Sequence, residues 1–124
     1  MGLTLLLAMQ SLTAPTASTW QLLPPDDGGE VWIDRASLSR RRNIARASIK
    51  AQGDAPTPDG TALFVARMRF DCDANTAGFE LGEDYDRNGT FLRANVFRNV
   101  AMHPIEAGSV QEHAQAMACM SEEN

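Results

Sequence analysis

A strict alternation of apolar and polar positions dominates the middle of the chain. Between residues 62 and 72 the even-numbered positions carry apolar side chains, whereas Arg67, Arg69 and Asp71 occupy odd-numbered ones. Because successive side chains of a strand point to opposite faces of a sheet, this spacing indicates a strand with one face in the core. We therefore predict a long antiparallel strand that places Cys72 on its core side.

The same alternation continues on both sides of this segment. Short turns rich in Asp, Asn and Gly separate the apolar stretches downstream, and a basic turn separates two of those upstream. Closely spaced strands joined by short turns are typical of an antiparallel meander. The predicted strands are residues 20–23, 31–34, 44–50, 62–72, 77–85 and 90–100.

The periodicity changes to that of a helix after Gly108. Ser109 and Glu112 have the spacing of a capping box, in which each side chain satisfies a free backbone N–H of the first turn. An apolar stripe follows at helical spacing and predicts a helix that ends near Cys119. The fold class predicted is therefore α+β: an antiparallel meander of about six strands covered by one C-terminal helix.

The first 19 residues contain no charged side chain, and residues 3–9 form a compact apolar run. This run is too short to span a bilayer, which takes roughly 20 residues. We predict a signal peptide over residues 1–17 and one domain over residues 18–124; a buried N-terminal helix is the alternative. No cysteine lies near the expected cleavage region, so no lipobox is predicted. No membrane span is predicted either, because the apolar run is too short.

Two cysteines far apart in an exported chain are usually joined, which predicts a disulfide between Cys72 and Cys119 and a periplasmic or secreted protein. The formal net charge is −5. Such an acidic balance argues against nucleic acid or an anionic membrane as the main partner.

Three groups of residues are candidates for binding chemistry. The run Arg40, Arg41 and Arg42 is a candidate contact for a polyanion or an acidic protein surface. Its alternative role is a solvated hairpin tip that keeps a sheet edge from aggregating.

His103 next to Met102 is a candidate haem ligand, although an ordinary loop histidine is the simpler interpretation.

The third group is an acidic segment before Gly89. Its side chains Asp84, Asp86 and Asn88 match the first half of a calcium loop. The twelfth position of such a loop should supply a bidentate Glu, but Asn95 occupies it here. A hairpin turn is the preferred interpretation of this segment, since Asn and Gly tolerate positive φ.

The order of these features resembles a known family, surface-adhesin protein E of Gram-negative bacteria, over residues 20–119. The residues that carry the resemblance are Trp20, Val31-Trp32-Ile33-Asp34, Ala36-Ser37-Leu38-Ser39-Arg40, Arg69-Phe70-Asp71-Cys72, Tyr85-Asp86 with Gly89, Ala107-Gly108-Ser109 and Cys119. The resemblance implies a sheet tied to a C-terminal helix by a disulfide. It also implies an outer-membrane protein that binds host extracellular-matrix proteins and haem and dimerises through its sheet.

Two hypotheses of function follow. The first is an exported non-enzymatic binding protein, associated with the cell surface, whose contacts to a protein or polyanion involve residues 40–42 and 52–60. The alternative is a soluble periplasmic domain with a housekeeping or small-ligand-binding role. No cofactor is predicted, nucleic acid is not expected as a partner, and a homodimer through the sheet is a further expectation.

Overall fold

The structure is a computed structural model that describes residues 18–25 and 29–123. The predicted signal peptide, residues 1–17, lies outside the described residues. In these described residues, eight strands and one α-helix, which we number β1–β8 and α1, follow one another. Their bounds are β1 Trp20–Leu22, β2 Glu30–Asp34, β3 Ser39–Arg41, β4 Ile44–Gln52, β5 Leu63–Asp71, β6 Thr76–Tyr85, β7 Phe91–Val96, β8 His103–Pro104 and α1 Val110–Cys119.

All strands belong to one antiparallel sheet in which β1, β2, β4, β5, β6 and β7 lie in that order. The short strands β3 and β8 pair with β4 and β6, respectively. A 3₁₀ turn at Arg35–Ser37 joins β2 to β3, so both strands follow the same edge of β4. The predicted α+β fold, a meander of about six main strands with one C-terminal helix, is confirmed.

The core lies between the helix and one face of the sheet, because the apolar positions of β4, β5 and β6 alternate onto that face. Small side chains on both sides let the helix approach the sheet closely. Ala114 and Ala118 of α1 are buried in the same cluster as Ala45 and Ala47 of β4. The larger core side chains are Ile33, Met68 and Phe70, each at most 1% exposed.

A disulfide between Cys72 and Cys119 joins the end of β5 to the end of α1, as the sequence predicts. The helix begins where the capping box predicts, since the Ser109 hydroxyl accepts a hydrogen bond from the backbone N–H of Glu112 at 3.2 Å. The Glu112 carboxylate in turn accepts from the backbone N–H of Gly108 at 3.1 Å. The capping box therefore stabilises the N-terminal end of the helix, and the disulfide holds its C-terminal end against the sheet.

The last long strand is shorter than predicted: β7 ends at Val96 and does not continue to residue 100. Beyond Val96 the Phe97 N–H still donates to the Glu80 carbonyl, and the chain then leaves β6 and returns to the same edge of that strand as β8. A Cβ at Gly78 would collide with the backbone carbonyl of Ala101, so this close approach depends on a residue without a side chain. Pairing resumes only at β8, which the alternation pattern does not predict because it has two residues.

The predicted basic turn at residues 40–43 is also shorter than expected. Arg40 and Arg41 belong to β3, and only Arg42 and Asn43 form the turn. Arg42 adopts a positive φ of 58°, which closes the hairpin between β3 and β4. Within the described residues, no helix has the length and apolar character that a membrane crossing requires.

Candidate functional site

The second face of the sheet, which we call the open face, lies opposite α1. Its cations are Arg46 and Lys50 on β4 and Arg67 and Arg69 on β5. The same face also carries Ile44, Val65 and Asp71. Among the described residues, no helix covers it, since α1 packs against the opposite, alanine-rich face. The open face is therefore a surface on which the sheet presents side chains from several strands.

An irregularity in β6 turns one acidic residue onto this face. Arg67 pairs with Leu81 and Met68 pairs with Phe79, so Glu80 is an extra residue in β6 and forms a β-bulge. A bulge changes the direction in which a side chain points. Here it places the Glu80 carboxylate among the arginines of the neighbouring strands.

Three guanidinium groups contact this single carboxylate. Arg46 donates from Nε to both oxygens of Glu80 at 3.0 Å. Arg69 donates to Oε2 from Nε at 2.9 Å and from Nη2 at 2.7 Å. Arg67 lies farther away, with its Nε 3.3 Å from Oε1. The cluster carries two more positive than negative charges, and its arginine side chains remain 32–45% exposed.

The electrostatic surroundings act on Glu80 in opposite directions. Partial burial raises the pKa of its carboxyl, whereas hydrogen bonds and charge from Arg69 and Arg46 lower it. The arginines prevail, and the pKa of Glu80 lies below its ordinary value. The carboxylate is therefore ionised at neutral pH and fixes the positions of the three arginines.

A fourth cation extends the cluster along β4. The ammonium of Lys50 lies 4.7 Å from the ring centre of Trp20 and 5.1 Å from that of Trp32, which are cation–π distances. Both tryptophans belong to the open face, because Trp32 pairs directly with Lys50 and Trp20 follows on the next strand. The two rings hold the lysine in place.

Exposed apolar side chains flank the cations at both edges of the sheet. Leu22 on β1 is 51% exposed, and on β7 Phe91 is 52% and Val96 is 74% exposed. Phe91 packs edge-on against Tyr85, with ring centres 5.8 Å apart. The open face thus combines a charged centre with apolar edges.

The three arginines of the predicted basic run have different surroundings. Arg40 turns toward the helix and donates from Nη1 to the backbone carbonyl of Cys119 at 2.8 Å. Arg41 pairs with Ile44 and shares the open face with Arg46. Arg42 lies at the exposed tip of the hairpin. Arg41 and Arg42 line a groove together with Arg46 of the cluster, whereas Arg40 does not, and binding by the run stays a prediction.

The carboxylates of the acidic segment accept hydrogen bonds from neighbouring groups of the protein. Asp84 accepts from Nη1 of Arg93 at 2.8 Å. Asp86 accepts from the backbone N–H groups of Asn88 and Thr90, both at 2.9 Å. These contacts describe a closed hairpin turn, and the described residues contain no group of three His, Cys, Asp or Glu side chains that could hold a metal ion. The metal site stays a prediction without a contact to support it.

His103 is exposed on β8, where it pairs with Ala77 of β6. Its side chain lines a cavity of about 270 Å³, which an ordinary loop histidine does not require. The lining residues are Met68, Ala77, Gly78, Phe79, Phe97, Asn99, Ala101, His103 and Gln111. This volume lies below the 300–1,000 Å³ of typical ligand pockets and suits a small apolar molecule. Haem ligation by His103 stays a prediction.

The cluster around Glu80 was not predicted from the sequence. Arg67, Arg69 and Arg46 appear there as separate polar positions of two strands. Their convergence depends on the register between β4 and β5 and on the bulge in β6. An acidic residue amid a predicted β-strand, with arginines at the same parity on other strands, is the pattern that could have indicated it.

Comparison with known proteins gives one match. The model of the family described as surface-adhesin protein E matches residues 20–120, which include every strand and the helix. No curated protein and no solved structure matches the chain significantly. Since the match covers most of the chain, this protein belongs to the surface-adhesin protein E family.

Proposed function

We propose that this protein is an exported, non-enzymatic binding module that holds a partner, such as a host-matrix or surface protein, against its open face. The observation that carries the proposal is the composition of that face. Arginine and aromatic side chains, which are enriched in protein interfaces, occupy its centre and one side. Exposed leucine, phenylalanine and valine side chains lie at its edges.

The family and the disulfide support the exported location. A bond between Cys72 and Cys119 persists in oxidising compartments and is rare in cytosol. Membership of an adhesin family favours the cell surface over the periplasm. Membership of this family also favours a non-enzymatic role.

Protease treatment of intact cells tests the location. The native gene, carrying a C-terminal tag, is expressed in its own host, and the tag is followed in whole cells, in the periplasmic extract and in the membrane. We expect the tag to be lost from intact cells when protease is added, while a periplasmic marker stays intact. Protection of the tag, with release of the protein in the periplasmic extract, would contradict a surface role.

Binding to immobilised extracellular-matrix protein tests the face. Val96→Asp places a charge on the open face, at a side chain that is 74% exposed. Met120→Asp is the matched control, since Met120 is 83% exposed and follows the helix, away from the open face. We expect Val96→Asp to weaken binding roughly tenfold, because it would bury an unpaired charge against the partner, and Met120→Asp to leave it unchanged. Equal binding by both variants and the wild type would overturn the proposal.

The same edge is the surface that a homodimer would use. Strand β7 lies at the edge of the sheet, and Phe91 and Val96 expose apolar surface beside its unpaired backbone groups. We propose that two copies associate through this edge. Light scattering after size exclusion should give a dimer mass for the wild type and for Met120→Asp but a monomer mass for Val96→Asp. A monomer mass for the wild type at high concentration would contradict it.

A second candidate function, binding of a small apolar ligand, is favoured by the cavity beside His103. Its walls include Phe79, Phe97 and the core residue Met68. Ala101→Leu would fill part of this cavity from an exposed position of its lining. Small aromatic probes should shift the NMR signals of His103 and Phe97 in the wild type, and the shifts should disappear in the Ala101→Leu variant. Shifts that persist in the variant, or none in the wild type, would reject this candidate.

A further inference from the structure

We propose that the open face binds a linear sulfated polysaccharide along a row of cations, the basic strip, that follows β4 and β5. The strip consists of Arg41, Arg46, Lys50, Arg67 and Arg69. The inference rests on the proposed function, which it deepens by naming the chemical class of a ligand. It differs from the polyanion contact predicted from the sequence, because Arg40 faces the helix and the strip extends into the sheet.

The register of the strands puts these cations in a line. Arg41 pairs with Ile44 at the end of the strip beside the hairpin, and Arg69 pairs with Arg46 two residues farther along β4. Arg67 pairs with the next open-face residue of β4, and Lys50 follows after that. Side chains on one face recur every two residues, so the six residue steps from Ile44 to Lys50 span about 20 Å. A ligand with repeated anionic groups matches this length, whereas a single small anion does not.

The bulge carboxylate orients the arginines for a ligand. Glu80 contacts Arg46 and Arg67 through their Nε atoms, which lie on the inner part of each guanidinium. Among the described residues, no group accepts a hydrogen bond from the terminal Nη atoms of these two arginines. Guanidinium groups that are fixed in this way lose little conformational entropy when they donate pairs of hydrogen bonds to an oxyanion.

The end of the strip offers a shallow recess. A groove of about 410 Å³ beside the β3–β4 hairpin is lined by Arg41, Arg42, Asn43, Ile44 and Arg46. Three of these five side chains are cationic, and Asn43 supplies an amide that also contacts Asp71. One sulfated sugar unit can occupy this groove while the chain continues along β4.

The aromatic residues of the face favour a polysaccharide over single-stranded nucleic acid. Binding of single strands usually relies on bases that stack on free aromatic rings. The rings of Trp20 and Trp32 both lie against the ammonium of Lys50 and hold it.

Titration with size-defined heparin oligosaccharide, used as the probe, tests the strip. The test variant is the double change Arg41→Gln and Arg67→Gln. Arg67 makes the longest of the three contacts with Glu80, and Arg41 is exposed, so neither change removes a close contact of the fold. The matched control is Arg87→Gln with Arg98→Gln, two exposed arginines outside the strip that alter the net charge equally.

We expect the dissociation constant of the test variant to rise by at least roughly tenfold, since charge-assisted hydrogen bonds are lost, and that of the control to stay within about twofold. Circular dichroism verifies that both variants are folded. Equal affinity of the test variant and the control would overturn the strip. A wild-type protein that does not bind heparin oligosaccharide would overturn it too.

Two further probes separate the ligand classes. Fully desulfated heparin keeps its carboxylates, so sulfate recognition predicts that it binds at least about tenfold more weakly. An oligo-dT strand of similar charge should also bind more weakly. If desulfated heparin binds as well as heparin, or if oligo-dT binds more tightly, the assignment to a sulfated polysaccharide is wrong.

The heparin titration and the matrix-binding assay can fail independently of each other. Heparin binding is measured on purified protein, whereas binding to immobilised matrix protein is measured with Val96→Asp. Loss of heparin binding in the strip variant with matrix binding intact would support the strip and assign the protein partner to the apolar edge. Absence of heparin binding, with matrix binding that still depends on Val96, would overturn the strip alone.

Discussion

The guanidinium of Arg40 donates from Nη1 to the backbone carbonyl oxygen of Cys119 at 2.8 Å. Its Nε also donates to the backbone carbonyl of Arg42 at 2.8 Å. One side chain thus links the β3–β4 hairpin to the last residue of α1, where the helix leaves carbonyl groups without internal partners. A residue that the sequence assigns to a binding run therefore has a structural role.

Substitution of Arg40 and Arg41 should separate stability from binding. Arg40→Gln removes the hydrogen bond to Cys119 and should lower the free energy of unfolding by about 1–2 kcal/mol, with little effect on heparin affinity. Arg41→Gln should leave stability within about 0.5 kcal/mol and weaken heparin binding. Urea unfolding and heparin titration of both variants provide the measurement. The same pair of effects in both variants would show that residues 40 and 41 are equivalent.

The disulfide should supply a large part of the stability. Cys72 and Cys119 are 47 residues apart in sequence, and a loop of this length predicts about 4 kcal/mol on the chain-entropy model. We expect Cys72→Ser with Cys119→Ser to lower the free energy of unfolding by roughly this amount. Urea unfolding with and without reductant measures it. Reductant should destabilise the wild type and leave the double variant unaffected; an equal response of both would contradict the prediction.

Glu80 should make the stability of the protein depend on pH in the acidic range. The folded protein holds the pKa of Glu80 below its ordinary value, because Arg69 and Arg46 outweigh the effect of burial. The unfolded chain therefore takes up the proton at a higher pH than the folded protein does. Stability from this group is fully present above the ordinary value of 4.5 and is lost as the pH falls through the lower, folded pKa.

The variant Glu80→Gln tests this pH dependence. At pH 7 it should reduce the free energy of unfolding by about 1–2 kcal/mol, because the carboxylate no longer accepts the charged hydrogen bonds of the arginines. The difference between the variant and the wild type should shrink between pH 5 and pH 3. Thermal unfolding across this range is the measurement, and Glu83→Gln on the same strand serves as the control. A constant difference at all pH values would contradict the assignment.

Calcium should leave the protein unchanged if the hairpin-turn interpretation of the acidic segment is right. Asp84 is paired with Arg93, and Asp86 accepts two backbone hydrogen bonds, so neither carboxylate is arranged around an ion. We expect no calorimetric heat and no change in Tm with calcium added to millimolar concentration. Asp86→Ala should lower Tm with or without calcium, because it removes both backbone contacts. A calcium-dependent rise in Tm that Asp86→Ala abolishes would restore the metal site.

Strand positions were predictable because half-buried strands impose a period of two on hydrophobicity. The pattern in residues 62–72 identifies β5, and the capping box identifies the first turn of α1. The fragments that escaped prediction are β3 and β8, which have three and two residues. Segments of this length carry no measurable periodicity, and their pairing depends on the longer strands beside them.

The sequence by itself determined the fold class, the helix start, the disulfide and which side chains occupy each face of β5, since these follow from local spacing and from the number of cysteines. Only the tertiary structure decided which cations meet. The register of β4 on β5 sets Arg46 beside Arg69, and the bulge in β6 sends Glu80 to both. The register and the bulge arise from pairing between segments that lie far apart in sequence, so no local pattern contains them.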